Sequence, residues 1–184
     1  MNTRIAIALI FLAAFTRLAL NLLPFPPHNF SPIAAIGLFG AAYFSRQALT
    51  LAVPFIALFL SDLILNNIIY SQYYPEFTLI TSWWIYAAFG LVMLAGWLLL
   101  RQKISPLRVV FASLVASAVF FLVTNFSVWL EGTMYPKTAA GLMACFTAGL
   151  PFLKNTIMGD LFFSAALFGT YEWAVSRKSV PANL

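Results

Sequence analysis

The chain has 184 residues, of which 62% are hydrophobic and 8% are charged, and ten Lys and Arg against five Asp and Glu give it a net charge of +5. Soluble domains carry about 25% charged residues, so this composition excludes a soluble globular protein and predicts a helical integral membrane protein. No basic run is interleaved with aromatic residues, so we expect no nucleic-acid partner. The single cysteine, Cys145, excludes an internal disulfide.

The first apolar run has a basic start, as a signal peptide would. It is interrupted by Arg17, and no small-x-small cleavage site follows it. We therefore predict an uncleaved first membrane helix over residues 5–23.

Seven apolar runs follow one another along the chain, and five of them are long enough to cross about 30 Å of hydrocarbon at 1.5 Å per residue. The other two, at residues 32–44 and 139–150, are ambiguous by length. Loop charges decide between the possible arrangements. If only the first of the two short runs spans, seven basic residues share one side of the membrane and two, Lys137 and Lys154, lie on the other. The seven are Arg4, Arg46, Arg101, Lys103, Arg108, Arg177 and Lys178.

That charge bias predicts six membrane helices with both termini in the cytoplasm, because basic residues concentrate in cytoplasmic loops. The predicted all-α domain occupies residues 1–184. Residues 139–150, closed by Pro151, are predicted to form a short outer helix that leads into the last span. The six predicted spans cover residues 5–23, 32–44, 48–65, 78–100, 107–130 and 154–175.

Small residues recur at helical spacing in two of these spans. The second places Gly37 and Ala41 four residues apart, and the fifth does the same with Ser113 and Ser117. Small residues let helix backbones approach closely in lipid, so we interpret both patterns as ordinary helix packing.

Strongly polar residues within the spans, apart from Glu172, map to the outer half of the membrane. A charge at the bilayer centre costs at least about 2.5–3.5 kcal/mol, so such groups face a partner or a water-filled cavity. One interpretation is a structural ion pair between Arg17 and one of two aspartates, Asp62 or Asp160. A hydrated outer pocket also explains the second aspartate together with Asn21 and Asn125.

Three outer loops favour the pocket because they combine aromatic and hydrogen-bonding side chains: "PFPPHNFS", "NNIIYSQYYPEF" and "EGTMYPKT". A belt of interfacial aromatics would explain part of this pattern, Trp83 included. Flat rings with amide and hydroxyl groups also suit a mostly apolar pocket for a small organic solute. His28, a lone histidine in the first of these loops, predicts no metal site.

No P-loop, HExxH or GxSxG motif and no Cys/His cluster is present, so we expect neither an enzyme nor a bound cofactor or metal. An enzyme using Asp62 and Asp160 as a pair stays open as a third possibility, and six spans without internal repeats disfavour the inverted-repeat transporters.

Several motifs carry a family resemblance. "TNFSVWL", "MYPKT" and "GLPF" resemble an uncharacterised family of bacterial membrane transport proteins over nearly the whole chain. "NFSPIAAIGLFGAAYF", "SDLIL" and "PFLKNTIMGDLFF" are similar to the S component, the substrate-binding subunit, of energy-coupling factor (ECF) vitamin transporters.

This resemblance implies six helices around one ligand at the outer face, with release inside driven by a separate T subunit and two ATPases. It implies that Asn29, Asp62, Trp83, Asn125 and Asp160 line or brace the cavity, with Arg17 as a partner of an aspartate. S components commonly dock the T subunit through an Ala-x-x-x-Ala pattern in the first helix, which is absent from residues 5–23. Both a coupled and a solitary transporter therefore stay open.

Together these arguments predict a protein of the bacterial cytoplasmic (inner) membrane that captures a small vitamin-like solute for uptake. The alternative from another class is a structural scaffold, similar to the six-span morphogenesis proteins of the cell-wall machinery.

Overall fold

The structure, a computed structural model, describes residues 2–25 and 28–178, and all regular structure in these ranges is helical. Pro26 and Pro27 of the first predicted outer loop, and the side chains of Gln47 and Lys178, lie outside this description. A π-helical turn at Leu65–Ile69 continues α3, and a short 3₁₀ turn follows at Ser71–Tyr73. The helices are α1 (Thr3–Asn21), α2 (Ile33–Tyr43), α3 (Gln47–Ile64), α4 (Trp83–Leu100), α5 (Pro106–Glu131) and α6 (Ala139–Lys178).

Each of the six predicted spans overlaps one of these helices. In the part of the chain that the structure describes, four helical segments are long and apolar enough to cross a membrane: α1, α3 with its π-helical turn, α4 and α5. α2 is apolar but has only 11 residues, which extend about 16 Å at 1.5 Å per residue. It therefore reaches across about half of a typical hydrocarbon core.

The short helix α2 lies at the centre of the bundle and contacts all five other helices. Around it the neighbours follow in the order α3, α1, α6, α5 and α4, and side chains of Phe55 and Phe89 close the ring between α3 and α4. All eight residues from Ala34 to Ala41 are buried. A helix that is apolar on every face belongs in the interior, which explains this position.

Close packing around α2 depends on glycines. A Cβ atom added to Gly96 of α4 would lie 3.0 Å from Leu38 Cδ2 and 3.2 Å from Ala41 Cβ, while one at Gly40 would collide with the ring of Pro54. The predicted small-residue packing of α2 is thus present, and its partners are α4 and α3.

The last helix corrects one prediction. α6 runs unbroken through its 40 residues, with Pro151 inside it, so residues 139–150 and 154–175 form a single helix of about 60 Å. Pro151 removes one backbone donor, but it does not end the helix. The predicted separate outer helix is wrong.

Candidate functional site

A cavity of about 1040 Å³ opens into the bundle at the amino-terminal end of α2. Because α2 is short, the space beyond its first turn is not filled by a central helix. The cavity is bounded by the last turns of α1, the segment 28–34, the π-helical turn after α3, the start of α4, the outer parts of α5 and α6 and the loops between them.

Two helices supply its longest walls. On α6 the lining residues fall at i, i+3, i+4, i+7, i+11 and i+15: Cys145, Ala148, Gly149, Phe152, Thr156 and Asp160. On α5 they fall at i, i+4, i+5, i+7, i+8 and i+11: Phe120, Thr124, Asn125, Ser127, Val128 and Glu131. This spacing is one face of an α-helix, so each wall presents a continuous stripe of mixed polar and apolar side chains.

Asp160 lines the cavity and is 2% exposed. Its Oδ2 accepts a hydrogen bond from Ser117 Oγ at 2.6 Å, whereas its Oδ1 accepts none from any residue that the structure describes. Gly159 beside it packs against the backbone of Phe30 and Ser31, so Asp160 lies at the level where α2 begins. A carboxyl group so buried therefore has a free oxygen at the cavity.

The serines of α5 hold this region together. Ser117 lies one turn from Ser113, whose hydroxyl donates to Ser164 Oγ on α6 at 2.9 Å. All three serines are buried. The spacing interpreted as helix packing from the sequence therefore also supplies the hydrogen bond to Asp160.

Arg17 pairs with Asp62, which answers the question of which aspartate it prefers. Arg17 Nη1 lies 2.7 Å from Asp62 Oδ1 and also donates to Ser61 Oγ. The second carboxylate oxygen of Asp62 accepts from Tyr86 Oη at 3.0 Å. Asp62 is 1% exposed and, unlike Arg17, is absent from the lining of the cavity, so it braces the wall from behind.

Asn66 adds a second buried polar group to the lining. It lies on the π-helical turn and is 2% exposed. Its Oδ1 accepts a hydrogen bond from Thr81 Oγ1 at 3.0 Å, but its Nδ2 has no hydrogen-bond partner among the described residues. The buried hydroxyl of Ser31, another lining residue, has none either. Buried polar groups are nearly always paired, so these two atoms indicate a missing partner.

Asn29 and Asn125, for which the family resemblance implies a place at the ligand site, both line the cavity. Asn29 has φ 61°, in the left-handed region that asparagine tolerates better than most residues. The loop that carries it is tied to α6 by Asn155 Nδ2, which donates to the carbonyl of His28 at 3.0 Å. Asn125 donates to the carbonyl of Phe121 in its own helix and packs against Gly149.

Trp83 departs from the prediction. Trp83 is 75% exposed and is not part of the lining. The next residue, Trp84, lies about 100° further around the helix and is half-buried. Its indole N–H donates to Glu131 at 2.6 Å, and Glu131 lines the cavity.

A metal centre has no support among the residues that the structure describes, since none of their His, Cys, Asp and Glu side chains form groups of three that could hold an ion. His28 lines the cavity and meets Phe152 edge to face, with ring centroids 6.3 Å apart. It acts there as an aromatic side chain.

Comparison with known proteins adds a family. The pattern of a family of unknown function, DUF6580, matches residues 1–183. The chain belongs to that family. No curated protein and no solved structure matches it significantly.

Sequence reasoning missed several lining residues of this DUF6580 member. The sequence predicts a loop at Asn66, because the apolar run ends at Leu65. A π-helical turn, on which Asn66 lies, has no simple sequence pattern. The lining stripes of α5 and α6 do have a signal in the sequence: polar residues recur at i, i+3 and i+4 within apolar helices. Further lining residues that were not singled out are Ser31, Thr81, Ser82, Thr124, Ser127, Glu131, Tyr135 and Thr156.

Proposed function

We propose that this protein captures a small vitamin-like solute from outside a bacterial inner membrane, in the cavity beside α2, for uptake. The observation that carries the proposal is a cavity of about 1040 Å³ whose lining residues include polar atoms without a hydrogen-bond partner among the described residues: the buried Asn66 Nδ2 and Ser31 Oγ, and Asp160 Oδ1. A bound solute would complete their hydrogen bonds.

The size and lining of the cavity support a small organic ligand. Binding pockets for such ligands commonly have about 300–1,000 Å³ and combine apolar walls with a few placed polar groups. Here aromatic rings of Phe30, Tyr70, Tyr74, Phe120 and Phe152 alternate with amide and hydroxyl groups.

The distribution of charge supports an outward-facing cavity. α1 begins, α4 ends and α5 begins at the end of the bundle opposite the cavity, and the basic residues Arg4, Arg46, Arg101, Lys103 and Arg108 lie there. Basic loops face the cytoplasm, so the proposed topology has six spans with both termini inside. In it α2 spans with the help of the cavity-lining loop, and the carboxyl half of α6 is the last span.

Coupling to an ECF T subunit and its ATPases is proposed only as one of two forms of uptake. The small residues Ala6, Ala13 and Ala14 of α1 are buried inside the bundle, and its exposed face carries Phe11 and Phe15. That face offers no stripe of small residues for a docking helix. A solitary transporter fits α1 better, and co-purification of ATPase subunits would show the coupled form.

The test is native mass spectrometry of the protein purified gently from its own host. Two variants on α6 form a matched pair: Ala148→Trp places an indole in the cavity, and Leu150→Trp places the same indole at an exposed position that does not line the cavity. We expect a reproducible extra mass on the wild type and on Leu150→Trp, and its loss from Ala148→Trp.

An extra mass retained by Ala148→Trp would place the ligand elsewhere and contradict the proposal. A monodisperse protein without any bound mass, combined with unchanged solute uptake and altered cell shape in a deletion strain, would favour the scaffold alternative.

A further inference from the structure

We infer that the solute is an organic cation or zwitterion whose N–H group binds Asp160. The inference rests on the proposed function and narrows the class of solute. It follows from the acidic and basic side chains of the cavity lining that have no ion-pair partner within the protein.

The described lining contains four side chains of the Lys, Arg, His, Asp and Glu types: Arg17, His28, Glu131 and Asp160. Arg17 is neutralised by Asp62 behind the wall at 2.7 Å. His28 is exposed at the loop and meets Phe152 edge to face. The acidic side chains of the lining that have no counter-ion are therefore Glu131 and Asp160.

These two carboxylates lie at different depths. Glu131, at the carboxyl end of α5, is exposed and accepts the indole N–H of Trp84. Asp160 is buried at the floor, near the first turn of α2, with one oxygen free. A cation would meet acidic side chains at the rim and again at the floor. Of the described positive side chains, Arg17 lines the cavity but is paired with Asp62, and Lys137 lies outside the lining and donates to the carbonyl of Gly132 at the rim.

Hydrogen-bonding capacity makes the requirement more specific. Asp160 Oδ1 can only accept from a ligand when ionised, so the group opposite it must donate; a charged N–H donor makes the shorter and stronger bond. Asn66 Nδ2 can only donate, so another part of the solute must carry an acceptor such as a carbonyl or ring nitrogen. A solute whose only polar group is a carboxylate satisfies Asn66 but opposes Asp160.

Three planar probes of nearly equal size test the inference: benzamidine, a cation with N–H donors; benzamide, which is neutral; and benzoate, an anion. Binding to the full-length protein in nanodiscs is measured by isothermal titration calorimetry, with empty nanodiscs as the blank. We expect benzamidine to bind about tenfold or more tightly than benzoate, with benzamide between them, a preference equivalent to about 1.4 kcal/mol.

Asp160→Asn keeps the shape of the side chain and removes its charge. We expect it to abolish the preference for benzamidine while leaving the binding of benzamide within a few-fold. Glu172→Gln, at the opposite end of α6 from the cavity, is the matched control and should keep the preference. Size-exclusion profiles and thermal unfolding establish that each variant is folded.

Binding that favours benzoate, or that ignores charge, would overturn the inference and leave the cavity as a ligand site. The same holds if Asp160→Asn keeps the preference for benzamidine. Failure of all three probes to bind at millimolar concentration would overturn the inference, and the mass-spectrometric result would then decide the proposed function separately.

Discussion

Asp62 and Asp160 are almost equally buried, yet their surroundings give them different roles. Asp62 has both oxygens occupied, by Arg17 and by Tyr86, and lies behind the cavity wall. Asp160 has one oxygen occupied, by Ser117, and lines the cavity. The first aspartate is therefore part of the framework, and the second is available to a ligand.

Because Asp62 belongs to the framework, its substitution is expected to lower the free energy of unfolding. Asp62→Asn leaves the guanidinium of Arg17 without its counter-ion, and removing one partner of a buried ion pair costs about 3–5 kcal/mol. We expect a loss of that size in the free energy of unfolding, measured by circular dichroism during chemical unfolding in mixed micelles. The double variant Arg17→Met/Asp62→Leu should recover part of it.

Glu131→Gln is the control for that experiment, because its carboxylate is exposed and accepts a single indole hydrogen bond. Its free energy of unfolding should change by about 1 kcal/mol or less. If Asp62→Asn were equally mild, the Arg17–Asp62 pair would not be structural.

At the residue scale, the sequence predicted that polar groups gather at one end of the bundle, because lipid gives them no other place. It could not choose the partner of Arg17, since both aspartates lie at similar depth along their helices. Nor could it separate Trp83 from Trp84, because the orientation of α4 depends on its packing against α2 and α5.

Among the elements, α2 has the largest effect on the site. Its length sets where the cavity begins, and its burial depends on glycines in its neighbours. The order and type of the helices were predictable from apolar runs alone. The central position of α2 was not, because an 11-residue apolar helix is equally compatible with an edge or a re-entrant position.

Two glycines of α4 provide a test of that packing. Gly96→Val would push its Cβ to within 3.0–3.2 Å of Leu38 and Ala41, whereas a Cβ at Gly90 would come no closer than 3.9 Å to Phe55. Overpacking typically costs about 1–3 kcal/mol, so we expect Gly96→Val to unfold at lower denaturant concentration than Gly90→Val. Equal stability of the two variants would show that α2 and α4 are not in close contact.

For the whole molecule, the prediction from loop charges concerns orientation. The cavity and the arginine-rich loops lie at opposite ends, so one labelling experiment tests both. In a Cys145→Ala background, Thr133→Cys lies beside the cavity and Lys103→Cys lies in the basic loop between α4 and α5, and both positions are exposed.

In intact spheroplasts, a membrane-impermeant maleimide should label Thr133→Cys and should label Lys103→Cys only after permeabilisation. The reverse pattern would turn the cavity toward the cytoplasm and contradict uptake from outside. Labelling of both positions without permeabilisation would contradict the six-span topology.

In the proposed topology, water in the cavity would bring the external solution down to the first turn of α2, because that helix is short. The insulating layer then narrows from about 30 Å of hydrocarbon to the roughly 16 Å spanned by α2. The membrane potential falls mainly across that helix, where moving one charge is worth about 2.3 kcal/mol per 100 mV. The affinity for a cation at Asp160 would then depend little on the membrane potential. Movement of that cation past α2 toward a negative interior would cross nearly all of the potential difference and would be driven by it.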